Sequence, residues 1–424
     1  MVETSEIAPP PIVIIGAGAA GLMAAIHAAG GPRPVLLLEG RDRPGQKILI
    51  SGGGRCNVLP ARAAAGDFIS DSSPNLVRKI LAAWPLAEVR RFFETDLGVP
   101  LKVEAETGKH FPVSDRARTV LDALLTAVTQ RGVRLQLGAR VAGLARAGDG
   151  WRVRLADGET ISAGRVILAT GGLSIPATGS DGAGLRMAQA LGHTLVPPYP
   201  ALVPLTGSNP AHRALAGISL PVTMWAEEQT PRQVGDAGSR RPVIARSAGG
   251  FLFTHRGYSG PAVLNIAHVA TRARLENDSS PAVFVQWLPL DAAAWDARLR
   301  AERRPLLSLL REHLPERLAA CLLAEAGLAD VAAGQMRRAD RQGLAALLTR
   351  YPLPYAGHEG YKTAEVTGGG VPLTEINPAT LESRIAPPNV HLCGELLDAF
   401  GPIGGYNFLW AWVTGRAAGL AAAG

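Results

Sequence analysis

Apolar residues fall along this 424-residue chain in runs of different period. Ile12 to Ile15 is short and almost entirely apolar, as expected of a parallel strand covered on both faces. Leu22 to Ala29 continues as a helix former, and Val35 to Leu38 forms a second short apolar run. Further on, "GVRLQLGARVAGLARAGDGWRVRLADGETISAGRVILATGG" alternates apolar and polar residues between turn signals such as Asp157-Gly158, which predicts a β-meander. Its last segment, Val166 to Ala169, reads as another buried strand. From about Tyr199 to Leu290 the chain is strand-like and turn-rich, with "PVTMWAE", "GGFLFTH" and "AVFVQWL" as strands. From Asp291 to Arg350 the spacing becomes helical, as in "LLSLLREHLPERLAACLLAEAGL". The end of the chain repeats the arrangement of its start: "LCGELLDAFGPIGGYNFLWAWVTG", residues 392 to 415, closes an apolar run on glycines and resumes as a helix.

The first glycine turn carries recognisable chemistry. Gly16, Gly18 and Gly21 have G-x-G-x-x-G spacing between a strand and a helix. The first glycine permits the tight turn, the second lets the backbone approach a pyrophosphate, and the third lets helix and strand pack closely. The helix N-terminus then presents unpaired N–H groups and a positive dipole end to the phosphates. Glu39 ends the second apolar run about 20 residues beyond the turn, where a carboxylate accepts hydrogen bonds from ribose hydroxyls; an acid there favours FAD or NAD over NADP. After it, "GRDRPGQKILISGGGRCNV" holds Lys47, Arg55 and Asn57 in a glycine-rich stretch expected not to form a helix but to run close against a bound molecule.

Composition adds limits. No run of about 18 uninterrupted apolar residues occurs, so no transmembrane helix is expected. Met1 to Pro10 is acidic and proline-bearing, unlike a secretory leader, and the expected location is the cytoplasm. Cys56, Cys321 and Cys393 form no C-x-x-C pair, which fits a reducing compartment and gives no metal site. The formal charge of +7 and pI near 9.6 come from scattered arginines, so nucleic-acid binding is not favoured. The oligomeric state stays open.

A G-x-G-x-x-G strand, a ribose acid, a meander and an A-T-G-G strand end, in that order, resemble the plan of FAD domains of the glutathione reductase and fumarate reductase type. More specifically, "GQKILISGGGRCNV", "KHFPVSDRARTVLDAL", "GGFLFTHRGYSGPAVLNIA", "TGGGVPLTEINPATLESR" and "CGELLDAFGPIGGYNFLWAWVTGRAAG" resemble the BaiN-like (YhiN-like) NAD(P)/FAD-dependent flavoproteins over nearly the whole chain. The resemblance implies an α/β fold: an FAD-binding Rossmann-like domain over 1–195 and 356–424, interrupted by an insert over 196–355. The insert would hold a β-barrel part, about 196–290, and a small helical part, about 291–355. It also implies that both glycine turns hold one FAD, with Gly394 and Glu395 (Asp398 competing) on the ribitol and Gly404 to Asn407 at the flavin's N1 and C2 carbonyl. A helix N-terminus stabilises the negative charge that reduced flavin carries at N1. The expected cofactor-binding set is Gly16, Gly18, Ala19, Ala20, Gly21, Glu39, Lys47, Ser51, Gly53, Gly54, Arg55, Cys56, Asn57, Val141, Thr170, Gly171, Gly172, Gly394, Glu395, Asp398, Gly404, Gly405, Tyr406 and Asn407. The chain departs from the family pattern at Phe408-Leu409, where Leu-Gln is expected, a change that bears on a polar contact near the flavin.

Catalytic groups are less legible. Histidine is the side chain suited to proton transfer near neutral pH, which makes His255, in "FTHRGYSGP", the best acid or base candidate beside a plain role in loop geometry. His110 and Tyr258 are weaker. Cys56 invites comparison with flavin disulfide reductases, but no second cysteine follows close by, so packing competes with redox chemistry. Cys393, Trp287, Trp410 and Trp412 are expected in the core. His212, His268 and His313 have no partners at informative spacing. The expected function is an FAD-dependent oxidoreductase passing a hydride to a small organic acceptor, enone-like or steroid-like by resemblance. No second G-x-G-x-x-G follows a strand, so no dedicated NAD(P)H domain is expected; NAD(P)H is expected to dock transiently as the donor, with a protein donor as the alternative. The alternatives are an FAD-dependent RNA-modifying or RNA-binding protein, and a non-catalytic FAD-binding protein.

Overall fold

The computed structural model describes residues 9–228, 242–275, 281–328 and 331–424. The chain packs as two compact units, one running to Pro198 and resuming at Glu365–Gly424, the other spanning Tyr199–Ala364.

The first unit is built on a five-stranded parallel sheet in the order Val390–Leu392, Arg165–Leu168, Ile12–Ile15, Val35–Leu38, Arg134–Gln136. Ile12–Ile15 lies at its centre, with Ile12 opposite both Val35 and Arg165, and all four of its residues are buried. A strand covered on both faces has no polar side to show, which is why this run is uninterrupted. The Ala19–Ala28 helix and the C-terminal Tyr406–Ala423 helix pack along each other. Their approach is set by glycine: a Cβ on Gly415 would stand 2.3 Å from Ala20 O, and one on Gly419 would stand 2.4 Å from Ala24 O. The expected meander is present as Val141–Ala147, Gly150–Leu155 and Thr160–Ala163.

One expectation fails in the glycine-rich stretch after Glu39. A helix does form at Gln46, and helical dihedrals hold until Ser51 turns extended (ψ 148°), after which Gly52 and Gly53 go left-handed (φ 56° and 67°). "QKILI" contains no helix breaker, so only the three glycines enforce irregular backbone.

The second unit has its own core and a seven-stranded antiparallel sheet, in the order Tyr351–Pro352, Ala282–Gln286, Ser219–Glu227, Val243–Phe253, Gly257–Ser259, Leu205–Gly207, Tyr355–His358. Its two outer strands are neighbours in sequence. In a flat sheet they would lie about 29 Å apart at about 4.8 Å per strand, whereas the link from Pro352 to Tyr355 reaches only about 10 Å. The sheet therefore curls until its edges approach. Because Tyr355–His358 belongs to this sheet, the unit extends to Ala364 rather than ending at 355. The text read as strand-like also contains a 15-residue helix, Pro261–Leu275, whose Ala262, Val263, Ile266, Ala267 and Ala270 are buried at helical spacing. The helices Ala292–Ala301, Glu316–Glu325 and Arg338–Thr349 follow; the first is capped by Asp291, which accepts from Ala294 N–H at 2.8 Å.

Candidate active site

At the carboxyl ends of the central strands, where parallel sheets of this kind place ligands, the first unit opens a cleft of about 510 Å³. That volume is ordinary for a small-molecule pocket, roughly 300 to 1,000 Å³. Its floor is the first glycine turn. A Cβ at Gly16 (φ 103°) would lie 2.5 Å from Ala169 O, and at Gly21 only 1.8 Å from Gly16 O. At Gly18 it would meet no protein atom within 4 Å, although Gly18 has the ordinary φ of −81°. Two glycines are thus required by packing, and the third leaves room over the Ala19–Ala28 helix N-terminus, which has no side-chain cap. Glu39 fixes the adjoining corner: Ala17 N–H and Arg41 N–H each donate to its carboxylate at 2.9 Å. Burial raises its carboxyl pKa, while those N–H groups pull the other way.

The second glycine turn reaches the same cleft. Gly404 (φ 131°) and Gly405 (φ 91°) precede the Tyr406–Ala423 helix, so the first N–H groups of that helix are open to a ligand. Asn407 holds the turn, accepting from Gly401 N–H (2.9 Å) and donating to Gly401 O (3.0 Å). Asn57 ties the two glycine loops together: with its amide oriented to pair, it donates to Leu59 O (3.1 Å) and accepts from Gly405 N–H (3.2 Å). Lys47 donates to Ser174 Oγ and to Glu395 at 2.6 Å. Glu395 also accepts from Thr367 N–H (3.0 Å) and Thr367 Oγ1 (2.8 Å). Lys47 therefore stands over the cleft as a positioned cation. Arg55 lies 4.0 Å above the Phe111 ring and pairs with Glu104 at 3.2 Å.

Of the expected cofactor-binding residues, Gly16, Gly18, Ala19, Ala20, Glu39, Lys47, Ser51, Gly53, Arg55, Asn57, Val141, Thr170, Gly171, Gly394, Glu395, Gly404, Gly405 and Asn407 line the cleft. Gly21, Gly54, Cys56, Gly172, Asp398 and Tyr406 do not. Asp398 is buried and accepts from Asp71 N–H (2.8 Å) and Ser70 Oγ (3.2 Å), so it shapes a loop rather than competing for the ribitol. Gly172 packs instead, since a Cβ there would lie 2.5 Å from Thr367 Oγ1. Tyr406 stands edge-on to Phe68. Gly394 lines the cleft with both backbone groups taken: its N–H donates to Thr414 Oγ1 (2.9 Å), and its carbonyl accepts from Trp410 Nε1 (3.1 Å). At the position of the family departure, Phe408 lines the cleft and stacks on Trp412, while Leu409 is buried.

The catalytic candidates fare differently. Cys56 is fully buried, and burial pushes its thiol up to about 12, so it is a neutral packed group with no thiolate to offer. His255 is an exposed residue of the second unit. Tyr258 is buried and bonded to His212 Nδ1 (2.7 Å), and His212 also meets Glu325 (3.0 Å). Donor atoms of His212, Cys321 and Glu325 lie within 4.8 Å of one another, a grouping that sequence spacing did not show. Tyr258, Tyr351 and Asn209 complete that knot, so it is already satisfied from within.

Sequence reasoning missed Arg41, Lys109, Phe111, Asp181 and Glu365, all of which line the cleft. Lys109 and Phe111 lie in the motif "KHFPVS" and Glu365 in "YKTAEVTGGGV", but neither motif says which side chain faces inward.

One end of the cleft is shaped for a nucleotide, with the Gly18 opening and Glu39; the other presents a second helix N-terminus flanked by Lys47 and Lys109. That bipolar layout suits FAD, whose pyrophosphate and redox ring both call for positive ends of dipoles, and it places the protein among the FAD-dependent oxidoreductases. Within that class the chain belongs to the HI0933-like family: residues 10–421 match the HI0933-like protein Rossmann domain. It is 34% identical over 421 residues to the 3-dehydro-bile acid delta(4,6)-reductase of Clostridium scindens, covering 97% of this chain and 98% of that one. It is 33% identical over 413 residues to the ribosomal RNA dihydrouridine synthase of Escherichia coli, covering 94% of each. Among solved structures, 3-ketosteroid-delta4-(5alpha)-dehydrogenase from Rhodococcus jostii aligns with a TM-score of 0.49 at 16% identity, covering 100% of this chain and 98% of that one. A flavocytochrome c3 fumarate reductase aligns at 0.48 and 17%, covering 98% and 78%.

Proposed function

We propose that this protein reduces a carbon–carbon double bond conjugated to a carbonyl on a small organic acceptor, with NAD(P)H as the transient reductant. The observation that carries this reading is the polar makeup of the cleft's second end, where the Tyr406–Ala423 helix N-terminus, Lys47 and Lys109 face one space. Positive groups there hold a carbonyl oxygen and stabilise the charge that grows on it as the double bond is reduced. The names of the two relatives point the same way. A delta(4,6)-reductase saturates ring double bonds, and a dihydrouridine synthase saturates the uracil ring, in which the double bond is conjugated to a carbonyl. Bound FAD supplies a two-electron carrier able to accept and return a hydride. In this reading the Gly16–Ala20 turn holds the pyrophosphate, Glu39 the ribose, and the Gly404–Asn407 turn the redox ring.

The test is an anaerobic titration of the purified flavoprotein with NADH and then NADPH, followed by addition of cyclohexenone or a steroid enone. The expected result is bleaching of the flavin bands by one nucleotide and their return with the enone. Bleaching without return removes the enone acceptor, and no bleaching removes the nicotinamide donor.

A second acceptor class has its own support. Two rRNA dihydrouridine synthases, from Escherichia coli and Haemophilus influenzae, are 33% and 30% identical to the chain. If the conjugated bond is that of a uracil in RNA, binding to rRNA weakens steeply with added salt, and reduced flavin is reoxidised by the RNA and not by cyclohexenone.

A further inference from the structure

The cleft contains one carboxylate with no partner. Glu365 begins the segment that re-enters the first unit, lines the cleft, and accepts no hydrogen bond and joins no ion pair among the described residues. The other acids of the cleft are engaged: Glu39 by two backbone N–H groups, Glu395 by Lys47 and Thr367, and Asp181 by Arg140 at 2.6 Å. We infer that Glu365 is the acid that delivers the proton to the substrate carbon beside the carbonyl; this rests on the double-bond reduction proposed above.

Three features support that role. Its position is at the redox end: two residues on, Thr367 bonds the Glu395 carboxylate that holds Lys47, and Glu365, Val366, Glu395 and Lys47 line the same cleft. Lys109 lies against the second glycine turn, its Cε 3.4 Å from where a Gly404 Cβ would stand. Its environment is also suitable. The Glu365 side chain is exposed and its carboxyl opens to the cleft; the protein around it still moves its pKa up by desolvation, against the pull of Lys47 and Lys109. Filling the cleft removes water from around the carboxyl and favours its protonated form. Finally, three other groups are already engaged: the Cys56 thiol is sealed in the core, Tyr258 is bonded to His212, and Glu395 is held by Lys47.

The balance is simple. The carbon–carbon π bond breaks, hydride forms a C–H bond at the carbon remote from the carbonyl, and the displaced electron pair takes the Glu365 proton at the adjacent carbon. The substrate gains a hydride and a proton. Glu365 is left as carboxylate and recovers its proton from water in the open cleft. Lys47, with Glu395 bonded to it, and Lys109 are the charges that face this carboxyl and set how readily it reprotonates.

The experiment compares full-length wild-type protein with Glu365→Gln, which keeps the shape and removes the proton. Flavin content is expected to be unchanged. Reoxidation of the reduced protein by an enone is expected to slow about 10²- to 10⁴-fold, the usual span of general-acid catalysis, whereas reoxidation by ferricyanide, which takes electrons and no proton, stays the same. A readout independent of turnover is infrared titration: the wild-type minus Glu365→Gln difference spectrum shows a carboxylic-acid carbonyl band persisting above the usual carboxylate range, beside the one that Glu39 gives in both proteins. Equal enone rates in the two proteins overturn the role of Glu365 and leave the double-bond reading intact. If ferricyanide but no enone or uracil reoxidises the wild type, the reading itself falls and the acid role with it. Equal slowing with ferricyanide, or loss of flavin, marks Glu365 as structural and overturns the proposal.

Discussion

At Gly18 a methyl group would point into open cleft, while at Gly21 it would sit 1.8 Å from the Gly16 carbonyl oxygen, so the two positions separate binding from folding. Gly18→Ala is expected to leave the melting temperature of the apoprotein unchanged and to weaken FAD about 10- to 100-fold, the equivalent of roughly 1.5–3 kcal/mol for charge-assisted hydrogen bonds held out of reach. Gly21→Ala is expected to lower stability by about 1–3 kcal/mol through overpacking, in apoprotein and holoprotein alike. Thermal melts and flavin titrations of both variants check this. Cys56 gives a second residue-scale test. With its thiol pushed up to about 12 and no exposed surface, it should resist alkylation at pH 8 in the native protein, and Cys56→Ser should keep its flavin chemistry. The glycine spacing was readable in sequence because backbone requirements are local. The inward-facing identity of Glu365 was not, because whether a side chain meets the cleft or the solvent depends on which strands pack beside it.

Among the elements, the pairing of the Ala19–Ala28 and Tyr406–Ala423 helices holds the two ends of the chain together. Gly415 and Gly419, one turn apart, let the second helix rest on the Ala20 and Ala24 carbonyls. Gly415→Ala and Gly419→Ala should each destabilise the protein by about 1–3 kcal/mol, and the double variant should depart from additivity because one shift of the helix relieves both clashes. Urea unfolding of the three variants decides it. Helix and strand periods identified most of these elements, including the meander and the C-terminal helix. The Pro261–Leu275 helix was missed because it opens with Pro261 after a strand-turn pattern, and its buried face is made largely of alanines that carry little periodic signal. In the glycine-rich loop the opposite error arose: composition hid the helical start at Gln46.

For the whole molecule, half-buried histidines link both units to pH. Burial pushes His27, in the first unit, and His268, in the second, down to about 4. Between about pH 6.5 and 4 the unfolded chain therefore takes up protons that the folded chain refuses, so their contribution is full above the ordinary histidine value and is lost as the pH falls through that window. Stability should decline by up to roughly 3 kcal/mol per histidine across it. His27→Leu should flatten the decline for the first unit only, as read by unfolding monitored separately for each unit over that pH range. The sequence by itself determined the G-x-G-x-x-G turn, the acid that closes the second strand, the α/β class and the family, because each depends on short-range spacing or on motifs that can be read along the chain. Tertiary structure decided that Asp398 and Cys56 turn away from the cleft, that Glu395 is consumed by Lys47, and that Glu365 stands alone in it. Those facts depend on contacts between residues up to 348 positions apart in the chain, and spacing along a sequence carries no record of which distant partner a charged side chain finds.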